Sequence, residues 1–254
     1  ALHQAKIRLV MDVVYNHTSS TDIFDQLVPG YYYRNWPNGK RSDASACGNE
    51  FASDRIMARQ FILESLKYWV KEYHVDGFRF DLMGIHDIET MNIISKELKK
   101  IDPTIFLYGE GWTAGDSPLP IEKRALKNNV KKLSNIAVFS DDIRDGVKGH
   151  WSKVTEKGFV SGNPNYKEVI QFGIVASTNH PQIKYDSKRG YAQFPYSDSP
   201  TKVIGYVSCH DNNTLYDKLK IANPKATEVE LVQMDKLANT IILTSQSIPF
   251  LHMG

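Results

Sequence analysis

The stretch Val75-Asp76-Gly77-Phe78-Arg79-Phe80-Asp81 predicts a short strand that ends on a carboxylate. Successive side chains on a strand point to opposite faces, so Arg79 and Asp81 share one face while Phe78 and Phe80 share the other. The aromatic face suits a layer packed under helices. Charged side chains are seldom buried without a partner or a role, so the Arg79–Asp81 pair indicates either a structural ion pair or a catalytic site. The stretch alone favours neither interpretation.

The composition of the 254-residue chain permits a substantial hydrophobic core. Apolar residues make up 41% of the chain, which excludes a disordered protein, and the length suits one large α/β domain. The net charge is +2, from 31 basic and 29 acidic residues without a basic run, so nucleic acid is not expected as a partner. No apolar run reaches the length of about 18 residues that predicts a membrane-spanning helix.

Strand-like and helix-like segments alternate along the chain, which predicts a parallel sheet with right-handed crossovers. The six predicted strands are residues 7–14, 75–81, 105–108, 136–139, 203–207 and 248–251. The predicted helices are residues 55–73, 88–99, 123–133, 170–176 and 231–243, with the last turn of another at residues 2–5. A long loop, residues 19–54, is rich in Tyr and Trp, which favours a functional role.

Polar residues lie at the ends of four of the predicted strands, where parallel α/β folds bind their ligands. The four groups are Asp12 with Asn16 and His17, Arg79 with Asp81, Glu110 alone, and His210 with Asp211. Because strand ends on one rim converge in space, we expect the carboxylates of Asp81, Glu110 and Asp211 to share one pocket. A loop carboxylate in water or a buried carboxylate that holds a loop is the ordinary alternative for each residue taken singly.

Paired carboxylates of unlike pKa are what glycosidic bond cleavage requires. Asp81 lies beside Arg79, and a neighbouring cation favours the ionised form that a nucleophile needs. Glu110 lies between two glycines, close to Trp112, and has no cation adjacent in sequence, so it is the better candidate for a protonated general acid. Asp211 is left to stabilise positive charge or to bind sugar hydroxyl groups.

Histidine and cysteine residues could instead form a metal site, but their spacing argues against one. His17 and His210 lie on no shared helical face, so we expect them to donate hydrogen bonds to sugar hydroxyl groups. Cys47 and Cys209 lie far apart and form no metal-ligand pattern, so two free thiols are expected unless the fold brings them together.

Four ordered motifs give the chain a specific resemblance to a known family. Asp12-Val-Val-Tyr-Asn-His17, Gly77-Phe-Arg-Phe-Asp81, Tyr108-Gly-Glu-Gly-Trp112 and Val207-Ser-Cys-His-Asp-Asn212 resemble the four motifs of the α-amylase family of glycoside hydrolases. Asp81-Leu-Met-Gly84 and the run from Tyr108 to Trp112 further resemble type I pullulanases, which are debranching members of that family and include bacterial enzymes.

The resemblance implies a (β/α)8 TIM barrel of which residues 1–254, as one partial catalytic domain, supply about strands three to eight, with the first two missing. It implies retaining, double-displacement cleavage of α-1,6-glucosidic links in pullulan and related α-glucans. By position in the motifs, Asp81 would be the nucleophile, Glu110 the acid/base and Asp211 the transition-state stabiliser. The remaining motif residues would bind substrate or brace the site: Asp12, Asn16, His17, Arg79, Trp112 and His210.

The same resemblance predicts the partners of the protein. An α-glucan would be the substrate, no cofactor would be required, and a structural calcium ion is compatible with the family. The missing strands and accessory carbohydrate-binding modules would come from a longer parent chain, and family analogy suggests an extracellular or cell-surface location. Alternatives are an isoamylase-type debrancher, an α-1,4-amylase, a glucosyl transferase or a non-catalytic glucan-binding protein, the last of which should have lost at least one carboxylate.

Overall fold

The computed structural model describes residues 1–185 and 190–253 and divides the chain into two compact units, Ala1–Val138 and Phe139–Gly254. Six strands are present among the described residues, and every strand pair whose register is recorded is parallel. The prediction of a parallel α/β fold is therefore confirmed. The closed barrel, its strand range and its single domain stay predictions.

The first unit is built on neighbouring parallel strands. They are β1 (Val10–Val13), β2 (Gly77–Phe80), β3 (Phe106–Gly109) and β4 (Ile136–Phe139), whose last residue lies at the unit boundary. Strand β2 is buried along its whole length, with Phe78 and Phe80 at 0% exposure. A strand buried on both faces is typical of a parallel sheet covered by helices.

The helices of the first unit each bury at least one apolar side chain. They are α1 (Asp22–Asp25), α2 (Ile56–Tyr73) and α3 (Ile88–Ile101), with 3-10 turns at His3–Ala5, Met83–Ile85, Ile121–Lys123 and Lys127–Lys132. In α2 the buried positions Ile62, Leu66 and Val70 recur every four residues, as helical periodicity requires. Helix α3 is capped at its N-terminus by Asp87, whose side chain accepts a hydrogen bond from the Thr90 amide.

The second unit combines two short strands with four helices. Strands β5 (Val203–Gly205) and β6 (Ile248–Pro249) pair in parallel, and the helices are α4 (Asp141–Lys148), α5 (Lys167–Ile174), α6 (Leu215–Ala222) and α7 (Glu228–Thr244). Their core includes Ile143, Leu219 and Ile242, each 0% exposed. Helix α7 begins with a capping box in which Thr227 and Glu230 satisfy each other's backbone amides.

The long loop at residues 19–54 is packed rather than loose. It contains α1 and two antiparallel bridges, Tyr33↔Phe51 and Asn35↔Arg41. Arg34, only 5% exposed, pairs within the loop with Glu50 (Nη1–Oε1 2.5 Å) and ties the loop to the rest of the unit through the Ile85 carbonyl (2.7 Å). The loop therefore forms a fixed wall of the first unit.

Two predictions about helices are wrong. Residues 123–133 form two 3-10 turns instead of one helix, because Arg124 and Leu126 have extended backbones. The Ala125 and Lys127 amides bond instead to the His86 and Gly111 carbonyls. Residues 140–200 contain α4 as well as the predicted helix near residue 170, and α6 was also missed. Helix α4 carries buried Asp142, Asp145 and Lys148, which hide its periodicity from a hydrophobicity pattern.

No helix in residues 1–185 and 190–253 combines the length and the apolar character that crossing a membrane demands.

Candidate active site

The register of the parallel strands in the first unit brings three sequence motifs side by side. Asp12 on β1 is the direct neighbour of Arg79 on β2, and Arg79 is the neighbour of Tyr108 on β3. Strand β3 ends at Gly109, which leaves Glu110 as the next residue along the same rim. Motifs that lie about 30 to 70 residues apart in sequence therefore meet at the carboxyl ends of neighbouring strands.

Arg79 is the centre of this cluster and is 5% exposed. Its Nη1 atom donates to Asp12 Oδ1 and to Asp81 Oδ1, both at 2.9 Å, and its Nη2 atom donates to Glu110 Oε1 at 2.6 Å. Burial alone would lower the pKa of Arg79, but the negative charges of Glu110, Asp12 and Asp81 outweigh burial and raise it. One permanently charged guanidinium thus holds three carboxylates, a set that we call the Arg79 cluster.

Asp81 is held from a second side by Asn16. The Asn16 Nδ2 atom donates to Asp81 Oδ2 and to the Asp81 carbonyl, both at 2.8 Å, and Asn16 is completely buried. His17 continues the chain of contacts through its Nδ1 atom, 2.5 Å from Asn16 Oδ1. The expected cationic neighbour of Asp81 is confirmed, and the first unit brings Asp12, Asn16, His17, Arg79, Asp81 and Glu110 together.

The environment of Glu110 differs from the one that the sequence suggested. The absence of a cation next to Glu110 in sequence does not carry over to the fold, because Arg79 pairs with it at 2.6 Å. Its other oxygen, Oε2, accepts a hydrogen bond from the Leu82 amide at 2.9 Å, and the residue is 6% exposed. The argument that Glu110 is protonated because it lacks a cation is therefore wrong.

The two glycines that flank Glu110 are required by close backbone contacts. A Cβ atom at Gly109 would lie 2.6 Å from the Phe80 carbonyl oxygen, and one at Gly111 would lie 2.6 Å from the Lys127 amide nitrogen. No side chain fits at either position without displacing backbone. Glu110 is therefore fixed by its neighbours as well as by its own hydrogen bonds.

Two features of this region were not predicted from the sequence. Leu82, directly after Asp81, has φ 37° and ψ 48°, a left-handed conformation that is unusual for leucine and that turns its amide toward Glu110. His86 is 1% exposed, and neither ring nitrogen has a hydrogen-bond partner among the described residues. Burial, with the nearby charge of Arg34, lowers the pKa of His86 to about 4. A backbone donor and a buried unpartnered imidazole leave no recognisable sequence pattern.

Trp112 lies on a loop that is docked against the long loop. The Ala114 and Gly115 amides both donate to the Ala44 carbonyl at 2.9 Å, and Trp112 itself is half-buried. The segment after Glu110 is therefore held in place by residues 19–54. The stacking role of Trp112 stays a prediction.

The polar residues after β5, in the second unit, are arranged differently. His210 and Asp211 are both exposed, and His210 Nε2 lies 3.7 Å from Asp211 Oδ1. Cys209 contacts His210 through Sγ and Nδ1 at 3.4 Å, and no disulfide forms among the described residues. The convergence of Asp211 with Asp81 and Glu110 stays a prediction.

No group of three or more His, Cys, Asp or Glu side chains in the described part of the chain is arranged to hold a metal ion. The expectation about calcium stays a prediction.

The chain is similar along its whole length to pullulanases, although no protein-family model matches it. The pullulanase of Bacillus subtilis strain 168 is 38% identical over 255 residues, which covers 100% of this chain and 34% of the relative. The crystal structure of the Paenibacillus barengoltzii pullulanase, in complex with maltohexaose and α-cyclodextrin, is 45% identical with a TM-score of 0.90. That match covers 99% of this chain and 38% of the other.

A debranching enzyme with another name is also similar. The chloroplastic isoamylase SU1 of Zea mays is 42% identical over 235 residues, which covers 85% of this chain and 28% of the relative. The chain spans about a third of the length of the curated pullulanase described above.

Proposed function

The chain belongs to the pullulanase family, and from this premise we propose that the full-length protein hydrolyses α-1,6-glucosidic branch links in pullulan and related α-glucans. The observation that carries the proposal is the Arg79 cluster, in which one buried guanidinium binds the carboxylates of Asp81 and Glu110. Relatives whose crystal structures contain maltooligosaccharides support an α-glucan as the ligand.

In the proposed mechanism, the Asp81 carboxylate attacks the anomeric carbon while Glu110 donates a proton to the glycosidic oxygen. The bond to that oxygen breaks, the leaving chain departs as an alcohol, and a covalent glycosyl–Asp81 ester remains. Glu110, now ionised, removes a proton from water, and the hydroxide oxygen attacks the same carbon. Asp81 is released as a carboxylate, Glu110 regains its proton, and the sugar keeps its anomeric configuration.

The contacts of the two carboxylates support these roles. Asp81 has both oxygens engaged, by Arg79 and Asn16, which favours the ionised form of a nucleophile. Arg79 bonds Asp81 through Nη1 and Glu110 through Nη2, which suits the separation of about 5–5.5 Å between the carboxyl groups of a retaining enzyme. Glu110 would exchange its contact with Arg79 for a proton when it acts as an acid.

The other motif residues are assigned to substrate binding. Asp12 would brace Arg79 and Asn16 would brace Asp81, and His17 and Arg79 would line the subsite at the scissile bond. Asp211 would stabilise the positively charged sugar, with His210 beside it. Trp112 would offer its ring to a sugar face.

The test uses the full-length protein and counts the reducing ends released from pullulan. We expect Glu110→Gln to lower the rate by about 10²–10⁴-fold, as for the loss of a catalytic acid or base, and Asp81→Asn, which removes the nucleophile, to lower it at least as much. Glu64→Gln, which removes an exposed carboxylate on α2, is the matched control and should keep the wild-type rate. A wild-type protein that releases no reducing ends from pullulan would refute the proposed activity.

A second substrate separates the two roles. A glycosyl fluoride needs no proton on its leaving group, so Glu110→Gln should form the covalent intermediate from maltotriosyl fluoride at close to the wild-type rate. Asp81→Asn should not, because it lacks the nucleophile. The reverse pattern would exchange the roles assigned to the two residues.

The similarity to isoamylase SU1 supports one further candidate, an isoamylase-type debrancher. Cleavage of a branched glucan without cleavage of pullulan would favour it. Cleavage of linear amylose would favour an α-1,4-amylase or a glucosyl transferase.

A further inference from the structure

The segment Asn49-Glu50-Phe51, near the end of the long loop, is almost fully buried although it carries an amide and a carboxylate. Asn49 is 3% exposed, Glu50 0% and Phe51 2%. The proposed mechanism uses none of the three. Buried polar side chains are normally hydrogen-bonded, so the partners of Asn49 and Glu50 show what this segment, which we call the 49–51 segment, holds in place.

Asn49 uses both polar atoms of its side chain on the backbone of one residue, Thr18. Its Oδ1 atom accepts a hydrogen bond from the Thr18 amide at 3.0 Å, and its Nδ2 atom donates to the Thr18 carbonyl at 2.6 Å. The side-chain amide thus copies the donor and the acceptor that a neighbouring strand would present. Asn49 itself is fixed by Ser45, whose Oγ atom donates to the Asn49 carbonyl at 2.6 Å. Thr18 is therefore held by two contacts that require both a donor and an acceptor at residue 49.

The same segment holds Asn16, two residues before Thr18. The Phe51 amide donates to the Asn16 carbonyl at 2.8 Å. His17 lies between these two residues, and its Nδ1 atom is 2.5 Å from Asn16 Oδ1. Within the described part of the chain, His17 makes no hydrogen bond of its own to the 49–51 segment. The segment therefore fixes the residues on either side of this imidazole without touching the ring.

Glu50 anchors the segment to two further parts of the first unit. Its Oε1 atom accepts hydrogen bonds from Arg34 Nη1 and from Ser117 Oγ, both at 2.5 Å. The same Arg34 nitrogen donates to the Ile85 carbonyl at 2.7 Å. Ile85 and Ser117 belong to the stretches of chain that follow the proposed nucleophile and the proposed acid. The 49–51 segment is therefore fixed relative to both of them.

We propose that Asn49 is a positioning residue of the active site, which sets the place of His17 at the scissile bond by clamping the backbone of Thr18. The clamp restricts the backbone from which the imidazole extends, and the contact with Asn16 restricts the ring. A side chain that must meet the substrate in one geometry loses effectiveness when its backbone is free to shift. The proposal rests on the proposed function for the role of His17, and Asn49 acts through that residue.

The test is a double-mutant cycle between Asn49 and His17 in the full-length protein, read as kcat/KM for pullulan. We expect Asn49→Ala to lower kcat/KM about tenfold in the wild-type background. In the His17→Ala background the same substitution should lower kcat/KM less than about twofold, because the group that Asn49 positions is already absent. A merely structural role predicts equal losses in the two backgrounds.

Asn223→Ala is the matched control for lost stability. Asn223 is 6% exposed, and its Nδ2 atom donates to Ser161 Oγ at 3.1 Å and to the Leu219 carbonyl at 2.9 Å, so this variant also removes a buried amide with two hydrogen bonds. It should lower the midpoint of thermal unfolding and leave kcat/KM within about twofold of the wild type. Asn49→Ser replaces Asn49→Ala if the alanine variant does not fold, because one shorter hydroxyl group cannot replace both amide contacts.

Equal losses from the Asn49 variant in the two backgrounds would overturn the proposal, and so would an unchanged kcat/KM. Failure of both Asn49 variants to fold would also overturn it, because Asn49 would then serve the fold instead of the position of His17. Failure of the proposed function is detected separately, as a wild-type protein that cleaves no pullulan. The same cycle, read as the dissociation constant of maltotriose by calorimetry, then decides the role of Asn49, and a wild type that binds no maltotriose overturns both proposals.

Discussion

Each unit of the protein contains a buried cation surrounded by three oxygen partners, but the two sets of partners differ. Arg79, 5% exposed, donates to the carboxylates of Asp12, Asp81 and Glu110. Lys218, 2% exposed, donates through Nζ to three backbone carbonyls, those of Lys153, Val154 and Glu156, at 2.7 to 2.9 Å. The first cation is held by charges and the second by dipoles.

The difference appears in the pKa values of the two cations. The carboxylates around Arg79 outweigh burial and raise its pKa. Carbonyl dipoles around Lys218 do not outweigh burial, which lowers the pKa of this lysine despite the charges of Glu156 and Asp145. The Arg79 guanidinium therefore gathers three carboxylates at one place, whereas the Lys218 ammonium ties a loop to a helix. His86 is the opposite case, a buried base whose two ring nitrogens have no hydrogen-bond partner among the described residues.

The largest effect is expected from removing the guanidinium of the Arg79 cluster. Arg79→Met would leave carboxylates uncompensated at a buried site, so we expect the free energy of unfolding of the full-length protein to fall by about 3–5 kcal/mol. Chemical denaturation measures this loss. Lys67→Met, which breaks an ion pair with the half-exposed Glu64, is the control and should cost less than about 1 kcal/mol.

Arg79→Lys sharpens the same comparison, because it keeps the charge but not the two-nitrogen fork. A lysine cannot reach Asp81 and Glu110 in parallel, so we expect only partial recovery of stability and activity. Full recovery would show that charge alone, rather than the geometry of the fork, organises the three carboxylates.

The buried imidazole of His86 predicts that the free energy of unfolding depends on pH, with an effect of intermediate size. The pKa of His86 is about 4 in the folded protein, against an ordinary value of 6.5, so the unfolded chain takes up the proton first. The stability that depends on neutral His86 is complete above pH 6.5 and is lost as the pH falls toward 4, by roughly 3 kcal/mol in total.

Urea denaturation of the wild type and of His86→Leu at pH 7 and pH 4 measures this effect. The variant should lose about 3 kcal/mol less than the wild type between the two pH values, because it has no imidazole to protonate. His180→Ala should lose as much as the wild type. Equal losses in the wild type and in His86→Leu would show that His86 does not titrate in this range.

The smallest of these effects is expected from replacing Lys218, which donates to three backbone carbonyls. Lys218→Met would leave three carbonyls without their shared donor, and we expect a loss of about 2 kcal/mol in the free energy of unfolding. Lys220→Met, at an exposed position on the same helix, should change stability by less than about 0.5 kcal/mol. Equal losses in the two variants would mean that the carbonyls find other donors, such as water.

The sequence predicted what depends on local periodicity and missed what depends on strand register. The alternation of Arg79 and Asp81 with Phe78 and Phe80 follows from the strand itself, and the structure confirms it. The pairing of Arg79 with Glu110 depends on how β2 and β3 align, which no local pattern specifies. The sequence therefore identified the members of the Arg79 cluster but not the partner of its glutamate.

A similar limit applies to His210 and Asp211. They follow a strand, as Asp81 and Glu110 do, and the sequence signal is the same in both places. In the second unit the two side chains are exposed and 3.7 Å apart, whereas the first unit buries Glu110 against a cation. The role of Lys218 was not predicted, because its three acceptors are backbone carbonyls, which every residue type carries.

The contacts at Gly109 and Gly111 have a consequence for the evolvability of the protein. Every amino acid other than glycine would collide with backbone at these positions, so the immediate flanks of Glu110 offer no variation for selection to act on. Saturation mutagenesis should therefore recover glycine alone at both positions.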